Sequence, residues 1–292
     1  MDQKRTKKED TTIDSRPTRE GRTSIAVACC QLAEPIRDPK GTKRIEAMFR
    51  RAVDAKARLV VFPELFCVAE RPHPKQGYAP FAQSLRQAAR VACDWARRFG
   101  LWIVWGSVLE RPRRPPRDKP HLVYNTSVVA DPFGRIAAVY RKRRLFRAAL
   151  PQGRYDEGRF FLAGRRAVRF TLDGWCFGMS VCFDLRFPSL YQTDRKNGAH
   201  AFVVPSAFTR QTGAAHWEVL VRARAIENQC YVIAPNMAGD DPYGRPRYGH
   251  SVIVDPWGRV LAQASEGKKD TVLTATLNIE KINEARQSVM MA

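Results

Sequence analysis

Apolar and polar positions along this 292-residue chain fall into two successive blocks with the same order of periods. The first opens with SIAVACCQL at 24–32, an apolar run short enough to be a buried strand. A 3.6-residue period from about Thr42 to Ala57 predicts a helix, and RLVVFPE at 58–64 a second strand. A further helix is expected from about Ala82 to Phe99, then the strand LWIVWGSVL at 101–109. Residues 110–120, ERPRRPPRDKP, are too rich in proline for a helix or a central strand and form an exposed loop. VYNTSVVA and RIAAVY then flank Asp131-Pro132-Phe133-Gly134, a turn with Pro second and Gly fourth.

The second block repeats this order. Trp175 to Val181 reads as a strand, Ser189 to Lys196 as a helix and HAFVVPS at 200–206 as a strand. A helix from about Ala214 to Asn228 leads to the strand CYVIAPN and a Gly/Pro/Asp-rich loop. HSVIV and RVLAQ then flank Asp255-Pro256-Trp257-Gly258. The repeat predicts an α/β fold of two similar halves whose sheets pack face to face with helices outside, a four-layer α-β-β-α sandwich. Residues 1–22 carry no apolar period and are expected to form a disordered basic and polar tail, with one domain at 23–292.

Charge and cysteine content change this picture little. The formal net charge is +21, from 37 Arg and 13 Lys against 29 acidic residues. The basic residues are spread over the chain, with no aromatic RNA-binding motif, zinc finger or recognition helix, so non-specific attraction to polyanions is expected rather than specific nucleic-acid recognition. No apolar run reaches the ~18 residues of a membrane span. Seven cysteines, an odd number without a C-x-x-C pair, fit reduced thiols in a cytoplasm.

Candidate chemistry lies where predicted strands end. Glu64 follows Pro63 at one strand end, Cys182 ends another, and Lys142 lies just past the strand that leaves the first turn. A thiol, a carboxylate and an ammonium on one rim suffice for acyl transfer: attack, proton movement and oxyanion neutralisation. Each alone fits a bland role, a buried small thiol or a solvated charge.

The words around these residues are more specific. VVFPEL, YRKRRLF and GMSVCFDLRFPSLY resemble, in order, the three signatures of the nitrilase superfamily of carbon–nitrogen hydrolases. YNTSVVADPFG, AHWEVLVRARAIENQCYV and GHSVIVDPWGRVLA agree, so the resemblance runs from about residue 24 to about 286. It implies the same α-β-β-α sandwich, with Cys182 forming a thioester, Glu64 as general base, and Lys142 with the backbone N–H of Phe183 holding the oxyanion. A second carboxylate is implied seven residues before Gly164, at Glu157, with the adjacent Asp156 as the alternative. No metal or cofactor is implied, because the thiolate replaces a metal-bound water.

Departures from the family pattern are Arg144, where His is frequent, Leu162-Ala163-Gly164-Arg165 in place of Thr-Pro-Gly-Asp, and Ser189 in place of Glu. Phe183-Asp184 after the nucleophile is similar to the amidase and carbamoylase branches, and CFDLRFP, HWE and RARAIENQ to ω-amidases and deaminated-glutathione amidases. The implied function is ammonia release from a small amide, with N-carbamoyl amide hydrolysis as the alternative. A catalytically silent polyanion binder on the same fold is the alternative of another class. His216 and Trp217 fit either pocket lining or a packed helix start, and Arg222, Arg224 and Glu227 an internal salt-bridge set. The segment Arg141–Arg169 holds ten basic and two acidic residues, and with Arg186 it points to a carboxylate-bearing substrate. The family resemblance also implies a homo-oligomer, a dimer through helices of the sandwich or a larger assembly.

Overall fold

The structure, a computed structural model, describes residues 22–38, 42–151, 153–265, 267 and 269–291. The first half runs β1 (Ser24–Gln31), α1 (Lys43–Asp54), β2 (Leu59–Val61), α2 (Leu85–Phe99), β3 (Trp102–Glu110), β4 (Tyr124–Ala130) and β5 (Ile136–Arg141). A detached hairpin of β6 (Arg147–Leu150) and β7 (Gly153–Asp156) follows. The second half comprises β8 (Arg169–Leu172), β9 (Trp175–Met179), α3 (Pro188–Lys196), β10 (Ala201–Val203), α4 (Arg210–Asn228), β11 (Tyr231–Ala234), β12 (Val252–Val254) and β13 (Val260–Gln263). The chain then returns to the first half through β14 (Thr271–Asn278) and α5 (Ile279–Ser288).

Each half builds a six-stranded sheet, in the orders β14-β1-β2-β3-β4-β5 and β8-β9-β10-β11-β12-β13. In both, three central strands run parallel and two antiparallel strands follow. The expected repeat is therefore present, extended by one antiparallel edge strand on each sheet.

Alternation along the strands produces the layers. Val27, Cys29, Leu59, Val61 and Val104 meet Phe177, Met179 and Val203 between the sheets. On the other face of the first sheet, Cys30, Val60, Ile103 and Trp105 pack with Met48 and Phe49 of α1 and Trp95 of α2. Phe202 of β10 points outward, edge-on to Tyr191 of α3 at 5.0 Å. Truncating one such side chain to Ala costs about 2–5 kcal/mol. Helix starts follow cap chemistry: Thr42 accepts from Arg44 N, Ser84 and Gln87 form a capping box, and Thr209 starts α4 earlier than periodicity predicts by accepting from Thr212 N.

Asp-Pro-aromatic-Gly-Arg forms the same turn at 131–135, 241–245 and 255–259. In each, Asp Oδ1 accepts from the backbone N–H of the third and fifth residues, at 2.8–3.0 Å. The first and third close hairpins, as expected, whereas the middle one was hidden in the Gly/Pro/Asp-rich loop.

Residues 1–21 of the expected tail lie outside the described residues. Arg22, assigned to that tail, is held by the β8–β9 turn: its N–H donates to Asp173 O and its carbonyl accepts from Trp175 Nε1. Among the described residues no helix is long and apolar enough to cross a membrane.

Candidate active site

The parallel strands of both sheets end on loops that carry the reactive groups. β2 runs into Pro63-Glu64, β9 into Val181-Cys182 and β10 into Ser206-Ala207. β5 is antiparallel to β4, which is antiparallel to β3, so Lys142 leaves on the same rim as the end of β3. Gly106 of β3 makes room for the Glu64 loop: a Cβ there would strike the carbonyl oxygens of Phe62 and Pro63. Glu64 N–H donates to Ser206 O at 3.4 Å and Leu65 N–H to Ser107 Oγ at 2.9 Å, which ties that loop to both sheets.

The carboxylates and the ammonium are in direct contact. Lys142 Nζ donates to Glu64 Oε1 and Glu157 Oε1, both at 2.8 Å, and is 1% exposed. Asn125 Nδ2 donates to the same Glu64 oxygen at 2.8 Å, and the N–H of Phe146 donates to Glu157 Oε2 at 2.7 Å. Between the two acids left open by the sequence, Glu157 holds the lysine. Asp156 turns away, accepting from Gly158 N and facing Arg147.

Cys182 begins a 3-10 turn, Cys182–Arg186, with φ 49°. A left-handed non-glycine residue costs about 1–3 kcal/mol and persists where its surroundings impose it. Here Cys182 N–H donates to Pro205 O at 2.9 Å. Asp184 fixes the rest of the turn by accepting from Val181 N at 2.9 Å, Tyr140 Oη at 2.7 Å and Arg144 N at 2.8 Å. Arg224 Nε donates to Leu185 O, at 2.9 Å, from below.

Electrostatics decide the resting protonation. Burial would lower Lys142, but the charges of Glu157 and Glu64 outweigh it and keep the ammonium protonated. Burial pushes Glu157 up against the pull of Lys142, and the charge of Glu64 adds to the rise. Burial also pushes the Cys182 thiol well up, and Glu64 adds to it; Lys142 and the Ala207 backbone oppose. Burial and the neighbouring carboxylate thus favour the thiol form of Cys182 over the thiolate.

The remaining candidates separate. The Phe183 ring meets Phe146 at 5.2 Å and Phe187 at 5.5 Å, lining the loop above Lys142. Arg186 Nη2 contacts Nδ1 of exposed His216 at 3.2 Å, and its guanidinium lies over the rings of Phe208 and Phe183. Trp217 is fully buried, edge-on to Phe208 at 4.9 Å, with Nε1 donating to His250 O. Its contacts are therefore those of a packed helix start. Arg224 pairs with Glu227 at 2.8 Å, as expected, while Arg222 turns instead to Glu218 and the Gly258 carbonyl. Within the basic segment 141–169, Arg141, Lys142 and Arg169 are engaged by the buried carboxylates Glu110, Glu64 and Asp194.

Sequence reasoning missed Asn125 and the anchoring role of Asp184. Both lie inside quoted motifs, and a buried Asn or Asp among apolar strand residues is the signal that was available.

The family model for carbon–nitrogen hydrolases matches residues 26–287. The chain is 33% identical over 252 residues to the deaminated glutathione amidase of Dictyostelium discoideum, covering 85% of each chain. It is 30% identical over 269 residues to Omega-amidase NIT2 of Homo sapiens, covering 91% of this chain and 93% of that one. The crystal structure of the C. elegans NitFhit protein superposes with a TM-score of 0.78 at 32% identity, over 92% of this chain and 64% of that longer one. The extent of the match and the two-sheet architecture agree with these likenesses. The chain belongs to the carbon–nitrogen hydrolase family.

Proposed function

We propose that this protein is a cysteine-dependent amidase that releases ammonia from a small, carboxylate-bearing linear amide. The observation that carries the reading is the buried Glu64–Lys142–Glu157 chain beside a thiol held in a left-handed turn. Glu64 takes the thiol proton as Sγ attacks the carbonyl carbon. The oxyanion is held by the Lys142 ammonium and the Phe183 N–H. On collapse, Glu64 returns the proton to the leaving nitrogen, ammonia departs and a Cys182 thioester remains. Glu64 then deprotonates a water that attacks the thioester, giving the acid and the free thiol.

Glu157 positions Lys142, and Arg186 with the exposed arginines of the 141–169 segment draws anions to the opening. The substrate class rests on the likeness to the deaminated glutathione amidase and Omega-amidase NIT2. A homodimer through the outer helices belongs to the same proposal, supported by exposed Val219 and Ile226 on α4 beside exposed Trp257. The seven free thiols fit a cytoplasmic setting.

Ammonia release across a panel of ω-amide acids and N-carbamoyl amino acids is the test, with Cys182→Ala as control. Turnover of the ω-amides that vanishes in the variant is expected. Turnover confined to the N-carbamoyl compounds would replace the substrate class. Normal turnover by Cys182→Ala would end the mechanism.

A further inference from the structure

Arg247 lies two residues beyond the middle Asp-Pro-aromatic-Gly-Arg turn, on a segment pinned across the site. Its N–H donates to Gly239 O at 2.7 Å, and it bridges antiparallel to Thr209. The next residue donates from Tyr248 N to Phe208 O at 2.9 Å. Phe208 and Thr209 directly follow Ala207, the residue whose backbone reaches the Cys182 thiol. Tyr248 packs on the first turn of α4, where a Cβ on Gly213 would collide with it. Successive residues of extended backbone point to opposite sides, so Arg247 turns away from α4 and toward the reacting groups.

Its Nη1 is buried and has no hydrogen-bond partner among the described residues. Burial lowers its hold on the proton, while Asp241, Glu64, Tyr78 and Cys182 favour its charge. None of these acids pairs with it: Asp241 is taken by Arg245 at 2.6 Å and Glu64 by Lys142.

Its mount is stiff. Arg245 stacks over Tyr155 at 4.3 Å and Tyr243 at 4.8 Å, and Arg71 Nε donates to Pro242 O at 2.7 Å. The turn is thus bonded to the β6–β7 hairpin and to the loop beyond Glu64. A buried guanidinium edge without an acceptor, on a rigid arm beside the nucleophile, is a seat for a carboxylate. Arg186, by contrast, already has ring faces and His216 around it.

We propose that Arg247 makes the direct contact to the substrate's carboxylate, so that the acyl chain runs from Cys182 toward the 241–247 turn, with Arg186 confined to drawing anions in. This rests on the amidase reading above and specifies its substrate geometry.

The experiment compares succinamate with its methyl ester in the parent enzyme, Arg247→Gln, Arg247→Lys and Arg186→Gln. Losing a charge-assisted hydrogen bond corresponds to about a 10–100-fold effect. Arg247→Gln should cut the acid-over-ester preference in kcat/KM by that factor, through KM for the acid. Arg247→Lys, which keeps charge without the fork, should fall between. A second measurement needs no turnover: glutarate should slow iodoacetamide alkylation of Cys182, read by mass spectrometry, in the parent and not in Arg247→Gln.

An acid preference untouched by Arg247→Gln, or one abolished by Arg186→Gln instead, would overturn the assignment and leave the amidase reading intact. Arg247-dependent glutarate protection in a protein that hydrolyses no amide would do the reverse. Failure of glutarate to protect the parent enzyme would count against the seat even if the variants did not fold.

Discussion

Under the mechanism proposed above, Glu64→Gln separates the base from the scaffold, because the two oxygens of Glu64 would have different duties. Oε1 accepts from both Lys142 and Asn125 at 2.8 Å, which leaves Oε2 for the thiol proton. A glutamine can keep its carbonyl oxygen in the first position and place an NH2, unable to accept a proton, in the second. Loss of a general base lowers kcat by about 10²–10⁴-fold, or roughly 3–5 kcal/mol of barrier. The substitution also takes the Glu64 carboxylate away from the neighbourhood of the thiol. Because Glu64 helps to push the Cys182 thiol up, the variant's thiol should ionise at lower pH than the parent's. Ammonia release measures the first effect, and the pH dependence of iodoacetamide alkylation at Cys182, resolved by mass spectrometry, measures the second. A misfolded variant would lose both signals; for a folded one, turnover should collapse while the alkylation inflection moves down. Activity within about 10-fold of the parent, or an inflection that moves up, would refute a general-base role for Glu64.

Lys142→Arg retains the charge but cannot fit a planar fork between Glu64 and Glu157, so kcat should fall at least ~10²-fold; activity within a few-fold would make Lys142 structural only. Asp184→Ala orphans the donors of Val181, Tyr140 and Arg144. It should lower stability by about 2–4 kcal/mol in urea melts and slow Cys182 alkylation; unchanged alkylation would uncouple Asp184 from the turn. Asp194 is pushed up to about 6 by burial, against the pull of its Arg169 partner. A raised folded value means its contribution to stability is full below ~4, the unfolded value, and is lost as pH rises through about 6. The stability of the parent relative to Asp194→Asn should therefore grow as pH falls from 7 to 4, by up to ~3 kcal/mol, and a flat difference would contradict the burial argument.

Glu64, Lys142 and Cys182 are legible in the sequence because each ends an apolar run of strand length, and runs of that kind converge on one rim. Glu157 is legible only through the family pattern; spacing alone does not separate it from Asp156. Asn125 escapes notice because a strand-embedded amide looks like any half-buried polar residue until its partner, 61 positions earlier, is known. Arg247 escapes for the opposite reason: in a chain with 37 arginines, nothing local marks an arginine whose Nη1 is buried without a hydrogen-bond partner among the described residues. Trp217 stays open in the sequence because a helix-start motif can serve packing as readily as recognition; its full burial against Phe208 decides for packing. The edge strand β14 carries a weak alternation, and its pairing with β1 joins Thr271 to Gln31 across 240 residues, a separation no local pattern reports.

That strand has a consequence for the order in which the molecule can assemble. The second sheet's edge strand, β8, precedes β9 and pairs with it through a tight turn, so this sheet can close as soon as its own segment has emerged from the ribosome. The first sheet has all its other strands by Arg141, yet its β1 edge stays unpaired until residues 271–278 are made. For the synthesis of some 130 residues, eight backbone positions of an apolar strand wait for a partner, and an open edge of that kind invites pairing with another nascent chain. A protein shortened to residue 265 would keep Glu64, Lys142, Glu157, Cys182 and Arg247, and it should nevertheless aggregate rather than hydrolyse.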